Sequence, residues 1–216
     1  MEMIYVAPGS FTMGSPRSED GHEDDETQHR VTLTKGYWLG KYEVTQRQWE
    51  SVMGGNPSYF MGDNLPVECV SWNDCQEFCQ KAGNGLRLPT EAEWEYACRA
   101  GSVGAYAGTG QLKEMGWYGA LFFGHTHPVG EKMPNAWGLC DMHGNVWEWC
   151  ADWYDSGYYA QSPGVDPLGP ASGVNRVLRG GSYWYDPRLC RSAFRFRFNP
   201  GSRLKYYGFR PVARHD

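Results

Sequence analysis

Residues 179–210 read RGGSYWYDPRLCRSAFRFRFNPGSRLKYYGFR, a stretch in which aromatic rings alternate with arginines. In an extended chain, Phe194, Phe196 and Phe198 lie on one face and the arginines between them lie on the other. Rigid rings beside guanidinium groups are enriched at recognition surfaces. The stretch therefore predicts strands that display rings for binding, with a buried strand pair, whose rings belong to the core, as the alternative.

Length and composition predict a single domain, residues 1–216. A chain of 216 residues buries one substantial core, and nothing in the sequence indicates a second one. The net charge of −5 and the pI of about 5.7 give no general support for binding nucleic acid. No apolar run approaches the roughly 20 residues that span a bilayer, so we expect no direct membrane insertion by this domain.

The seven cysteines are odd in number and include no C-x-x-C pair. This pattern argues against a zinc ribbon and against a complete disulfide framework, so we expect mostly reduced thiols. The acidic residues between Glu19 and Glu26 are predicted to form a solvated loop. His125 and His127 are two potential metal ligands, but they have no carboxylate nearby in their loop, and we expect them to be solvated.

Three helices are predicted from their capping residues. Thr45, Ser71 and Thr90 each precede a segment with apolar residues at helical spacing, and a glycine follows each segment. The remainder contains short strands and Gly/Pro-rich connections, and residues 101–135 are predicted to be loop.

Four motifs occur in order along nearly the whole chain: Leu86–Glu95 (LRLPTEAEWE), Gly144–Trp149 (GNVWEW), Arg179–Ser182 (RGGS) and Gly208–Arg210 (GFR). Together they resemble the formylglycine-generating enzyme, or sulfatase-modifying factor, domain family. The resemblance implies an α+β protein with the C-type-lectin-like fold of the formylglycine-generating-enzyme subtype. Short strands, two main helices and much irregular loop are expected.

The turn between Asp141 and Glu148 brings together hard oxygen donors, which a Ca²⁺ site requires. A turn held by side chains that hydrogen-bond to the backbone explains the same spacing. In the family this turn commonly holds Ca²⁺. The resemblance implies, as ligands, the side chains of Asp141 and Glu148 and the carbonyls of Gly144 and Val146.

The family's enzymes oxidise a substrate cysteine at a copper ion held by two cysteines that follow the Gly-Gly-Ser. Cys190 matches the second of these, but Tyr185 stands in place of the first. A phenol is a poor substitute for a thiolate ligand of Cu(I). Pro211 also stands where the enzymes often have a cysteine bridged to the position of Cys98. We therefore expect no copper and no formylglycine-generating activity.

The closing stretch is most similar to the variable proteins of diversity-generating retroelements, above all those of the spirochaete Treponema. These proteins use the same fold without catalysis and diversify display residues by mutating adenines of Asn codons. Residues 187–193, 199–200 and 208–210 match their constant frame. Residues 179–210 are thus expected to be a variable ligand-binding region. Its predicted contacts are Tyr183, Tyr185, Asp186, Leu189, Phe194, Phe196, Phe198, Leu204 and Tyr206.

Trp184 and Lys205 are expected to be frame residues or neighbours, because AAC and AAT randomised at adenine encode neither. The sequence thus predicts a non-catalytic, monomeric display protein that binds an unidentified protein or surface ligand. The alternatives are an enzyme of the family with altered metal chemistry and a structural or chaperone-like domain.

Residues 1–4 lack the basic and apolar regions of a signal peptide. An export signal or lipid anchor on a precursor would place the domain at the bacterial cell surface or outside the cell.

Overall fold

Short strands and helices joined by irregular connections make up the fold, as the sequence predicts. The computed structural model describes residues 1–120 and 124–214. The strands in these residues are β1 Met3–Val6, β2 Gly9–Met13, β3 His29–Leu33, β4 Tyr37–Gly40, β5 Gly116–Trp117, β6 His143–Gly144, β7 Trp147–Trp153, β8 Arg176–Arg179, β9 Phe196–Phe198, β10 Tyr207–Gly208 and β11 Val212–Arg214. The helices are α1 Gln46–Met53, α2 Trp72–Ala82, α3 Glu91–Arg99 and α4 Leu112–Met115. None of these helices is long and apolar enough to cross a membrane.

Capping boxes begin the three longer helices. The hydroxyls of Thr45, Ser71 and Thr90 each accept a hydrogen bond from the backbone of the third helical residue, whose side chain bonds back to the cap. Helix α3 ends at Arg99, and its C-cap is Ala100, which lies one residue before the predicted glycine and has the left-handed conformation with φ of 45°. Residues 101–120 and 124–135 are largely loop as predicted, although α4 and β5 lie within them, and the rest of the predicted loop, residues 121–123, lies outside the described residues.

The closing stretch contributes to both edges of a four-stranded sheet. The strand order is β10-β7-β8-β9, with β7 antiparallel to β8 and parallel to β10. The chain therefore leaves β8, forms the edge strand β9 and crosses to the opposite edge at β10. A three-stranded sheet, β1-β4-β11, and two strand pairs, β2-β3 and β5-β6, complete the described sheets.

Buried tryptophans of β7 form the base on which the closing stretch lies. Trp147 and Trp149 are fully buried and belong to a core cluster with residues of α1, α2, β8 and β10. A second cluster packs α3 against the strands near the chain's beginning. The seven cysteines are free thiols and six of them are buried, which agrees with the predicted reduced state.

Candidate ligand-binding surface

Arg179 fixes the backbone of the closing stretch from inside the protein. Its guanidinium is fully buried, and Nη2 lies 2.5 Å from Oε2 of Glu95 on α3. The same group donates to the carbonyls of Ser192, Ala193 and Phe194 over 2.7 to 2.9 Å. Charge-assisted bonds of this kind are strong when buried. Arg179 thus ties the turn before β9 to helix α3.

Arg191 and Arg195 reach carboxylates far away in the sequence. Arg191 donates to both oxygens of Glu26 at 2.7 and 2.8 Å and to Glu19 at 2.8 Å. Arg195 donates to both oxygens of Glu91 at 2.7 and 2.9 Å. The predicted solvated loop between Glu19 and Glu26 is therefore wrong in part, because Glu26 is fully buried as the partner of Arg191.

Arg210 is the fourth buried arginine of the closing stretch, and it lies at the predicted calcium turn. It donates to both oxygens of Glu148 at 2.7 Å, and the indole of Trp94 donates to the same carboxylate at 2.8 Å. Beside this pair, Glu43 accepts hydrogen bonds from Asn145 and from a backbone amide. Burial and the neighbouring carboxylates raise the pKa of Glu43 well above its ordinary value. The carboxylates of Glu43 and Glu148 at this turn therefore already accept hydrogen bonds from Arg210, Trp94, Asn145 and the backbone.

The predicted calcium ligands Asp141, Gly144, Val146 and Glu148 do not fit that ion. Ca²⁺ takes six to eight oxygen ligands, and the Glu148 carboxylate is already occupied by Arg210 and an indole. Asp141 accepts a backbone hydrogen bond through Oδ2 at 2.6 Å, and only its buried Oδ1 has no partner. Within residues 1–120 and 124–214, no group of three or more His, Cys, Asp or Glu is arranged to hold a metal. We derive no role for calcium here.

Four rings of the closing stretch form a continuous surface, which we call the ring patch: Tyr185, Phe196, Phe198 and Tyr206. Ring centroids lie 5.3 Å apart for Tyr185 and Tyr206, and 6.3 Å apart for Tyr185 with Phe196 and for Phe196 with Phe198. Phe198 is exposed and the other three are half-buried. Buried Trp147 lies beneath, stacked on Phe196 at 4.9 Å. The patch thus presents rigid rings on a fixed base.

Two of the predicted contacts, Tyr183 and Phe194, are buried, so their predicted exposure is wrong. Tyr183 has no exposed surface, because its ring packs against Phe60 at 5.8 Å. Phe194 is 9% exposed and lies 5.9 Å from Trp147.

The predicted alternation of faces is present, because Phe194 and Phe196 both contact Trp147 whereas Arg195 and Arg197 both lie over the Tyr154 ring. Phe194 is nevertheless buried, because this face packs against Trp147 and becomes exposed only at Phe198.

The other predicted contacts lie on the surface near the patch or at its border. Asp186 is exposed and caps a 3₁₀ turn by accepting a hydrogen bond from the backbone of Arg188 at 2.9 Å. This bond lowers the pKa of Asp186. Leu189 and Leu204 are half-buried and pack against the same core cluster as the rings. These side chains extend the surface that the ring patch begins.

The cysteine that matches the family's copper ligand lies inside the protein. Cys190 is fully buried beside Gly181, and burial raises the pKa of its thiol to about 12. Tyr185, in place of the other ligand, is part of the ring patch. One protonated thiol and a phenol do not fit the pair of soft thiolates that Cu(I) takes. We derive no step through copper.

The prediction that His127 is solvated is wrong, because its ring is partly buried against Trp117. Its ring stacks on Trp117 with centroids 3.7 Å apart, and burial lowers its pKa to about 4. His125 is exposed, 4.6 Å from His127 between ring centroids. The two histidines therefore extend an aromatic surface rather than form a metal site.

Sequence reasoning missed the partners of the buried arginines. Glu91 and Glu95 lie in the LPTEAEWE motif, whose pattern signals a helix start and the family but not an ion pair. Both face the closing stretch because they are four residues apart and so share one face of α3. Glu26 had no comparable signal, since its partner lies 165 residues away.

Comparisons with known proteins agree with this geometry. The model of the sulfatase-modifying factor enzyme 1-like domain matches residues 1–215. The formylglycine-generating enzyme of Streptomyces coelicolor is 42% identical over 192 residues, covering 81% of this chain but only 60% of that enzyme. Treponema denticola variable protein 1 superposes with a TM-score of 0.91 at 33% identity, covering 99% of this chain and 95% of that one. PvdO from Pseudomonas aeruginosa gives a TM-score of 0.87 at 31% identity, with 99% and 94% covered.

Proposed function

The chain belongs to the sulfatase-modifying factor enzyme 1-like domain family, and within that family we propose that it is a non-catalytic ligand-binding display protein. The observation that carries the proposal is the ring patch, whose rings lie on buried Trp147 in a stretch whose backbone is held by buried arginine-carboxylate pairs. Rigid aromatic side chains contribute contact area at low entropic cost, which is why recognition surfaces favour them. Likeness to a variable protein of Treponema supports the same role.

The finer proposal is that a retroelement diversifies this surface. The variable positions would be Tyr185, Asp186, Leu189, Phe196, Phe198, Leu204 and Tyr206, with Tyr183 and Phe194 as buried neighbours. The coding DNA tests it directly. We expect a near-repeat of the segment encoding residues 179–210 close to the gene, differing from it only at adenines. Flanking DNA with no such repeat would contradict diversification but not ligand binding.

An enzyme with altered metal chemistry is the second candidate, favoured by the 42% identity with a formylglycine-generating enzyme. The test is conversion of a sulfatase-derived cysteine peptide to formylglycine by the purified chain with Cu(I), followed by mass spectrometry. We expect no conversion, and turnover would defeat the display proposal. Tyr185→Cys is the informative companion, because it restores a second thiol where the enzymes have one.

Display on an outer surface follows from this function. We propose that the domain acts at the bacterial cell surface or outside the cell, as a monomer that binds a protein or surface ligand. Protease treatment of intact cells should remove the domain, with a cytoplasmic enzyme as the protected control. A domain that is degraded only after lysis would place the binding event inside the cell.

A further inference from the structure

A loop outside the closing stretch displays two large apolar side chains beside it. Within residues 54–62, Tyr59 is 67% exposed and Met61 is 69% exposed. Nζ of Lys205, between two of the predicted contacts, lies 5.3 Å from the Tyr59 ring centroid and 4.5 Å from that of Trp184. Loop 54–62 and the closing stretch therefore form one surface, with Lys205 at their junction.

Buried polar groups hold loop 54–62 in place. The amide of Gln46, 1% exposed, donates to the carbonyl of Phe60 at 2.7 Å and accepts from the backbone of Gly62 at 3.0 Å. The carboxylate of Glu68, fully buried, accepts from the backbone of Phe60 at 2.7 Å. A loop fixed from below keeps its outward side chains preorganised, so they lose little conformational freedom on binding.

The one charge of this surface that forms no ion pair with residues 1–120 and 124–214 is a cation, Lys205, although the chain carries a net charge of −5. In the closing stretch, Arg188 pairs with Asp186, and Arg203 pairs with Asp74 of α2. Arg197 lies on the opposite face of β9 and donates to the Tyr154 hydroxyl at 3.0 Å, so it is not part of this surface. Lys205 lies over the rings of Tyr59, Phe60 and Trp184 and forms no ion pair among residues 1–120 and 124–214. One cation is thus available beside the exposed apolar groups. A ligand with carboxylates in the matching position would be steered toward this face.

We propose that Tyr59 and Met61 are a fixed part of the ligand-binding surface, and that the ligand is a folded protein with an acidic face. The inference rests on the proposed display function and deepens it. Changeable residues of the closing stretch would set specificity, whereas loop 54–62 supplies the same apolar contacts to every ligand. Aromatic side chains and methionine are enriched at protein interfaces for this purpose. Lys205, at the junction of the loop and the closing stretch, adds the preference for carboxylates.

The experiment uses the full chain displayed on yeast. Its library randomises the four residues of the ring patch together with Asp186, Leu189 and Leu204. Selections run against serum albumin, an acidic protein, and egg-white lysozyme, a basic one. Each selected binder then receives Tyr59→Ser with Met61→Ser, or the control pair Val103→Ser with Met133→Ser, which changes exposed apolar residues elsewhere. The measurements are Kd by titration and the melting temperature of each variant.

We expect more binders against albumin, and a rise in Kd of about tenfold or more from the loop pair across unrelated binders. The control pair should change Kd by less than about twofold, with both pairs leaving the melting temperature unchanged. If the loop pair leaves the Kd of the binders unchanged, Tyr59 and Met61 are not a fixed part of the binding surface. If the library yields as many binders against lysozyme as against albumin, the preference for an acidic ligand is wrong. A library that yields no binder at all contradicts the display function itself. If the unselected chain associates with itself, and the loop pair abolishes this association, the occupant of the surface is a second copy of this chain and the proposed acidic ligand is wrong.

Discussion

Buried arginines and exposed rings come from the same closing stretch, yet they have opposite surroundings. Arg179, Arg191, Arg195 and Arg210 lie inside the protein, and each is paired with a carboxylate from a distant segment. The ring patch lies outside, over the face of the four-stranded sheet that carries Trp147 of β7. The difference teaches that the backbone of this stretch is held by its arginines and not by its outward rings. Replacing a ring of the patch should therefore cost less stability than replacing one of these arginines.

The largest effect should come from breaking a buried pair. Arg179→Ala leaves the fully buried carboxylate of Glu95 without this partner and releases three carbonyls of the turn before β9. Removing one member of a buried ion pair costs about 3–5 kcal/mol. The control is Arg197→Ala, which removes an exposed guanidinium and should cost less than about 0.5 kcal/mol. Urea unfolding measures both, and equal costs would erase the distinction between the two regions.

A sharper test compares two tyrosines two positions apart. Tyr183 is fully buried against Phe60, so Tyr183→Ala should cost about 3 kcal/mol or more. Tyr185 belongs to the half-buried part of the ring patch, so its ring buries roughly half as much apolar area as a fully buried tyrosine. Tyr185→Ala should therefore cost about 1 kcal/mol. Thermal melts decide between them. If Tyr185→Ala is as damaging as Tyr183→Ala, the patch is part of the core and the display reading fails.

The free energy of unfolding should also depend on pH through a buried carboxyl group, Asp152, that lies away from the ring patch. Burial and the nearby Glu91 raise the pKa of Asp152 to about 8 from an ordinary 3.8. The folded state therefore keeps a proton that the unfolded state has lost between these values, and this group's contribution to stability falls as pH rises through that range. Asp152→Asn retains an acceptor for the backbone of Glu91 and removes the titration.

The variant should gain stability relative to the natural chain by up to about 1.4 kcal/mol per pH unit between about pH 4 and pH 8. Because other titrating groups are common to both proteins, the difference isolates Asp152. Denaturant titrations at four pH values measure it. Parallel stability profiles for the two proteins would contradict a raised pKa at this site.

The smallest expected effect concerns calcium. A metal bound only by the folded protein adds stability by mass action, but Arg210 already neutralises the carboxylate of Glu148. We expect chelator to leave the melting temperature unchanged and added Ca²⁺ to leave it unchanged as well. Glu148→Gln should still destabilise the fold, because it removes the charge that pairs with buried Arg210. A calcium-dependent shift would show that the turn binds the ion in spite of the pair.

The sequence by itself was enough for the elements whose signals are local. Capping boxes at Thr45, Ser71 and Thr90 begin helices in the structure because a hydroxyl and the side chain three residues later need no distant partner. Motifs spread along the chain were enough for the family and the C-type-lectin-like fold. The alternation of rings and arginines also indicated correctly that a surface with exposed rings lies in the closing stretch.

Only the tertiary structure decided which residues face outward there. A period of two correctly places the three phenylalanines on one face, but packing decides that Phe194 is buried against Trp147 and that Arg195 pairs with Glu91 inside the protein. Buried arginines choose partners by position in space, and Arg191 reaches Glu26 across 165 residues. Loop 54–62 joins the surface for the same reason, since Lys205 meets Tyr59 only in the folded chain. Local chemistry fixes where a helix begins, whereas burial depends on what the rest of the chain packs against each side chain.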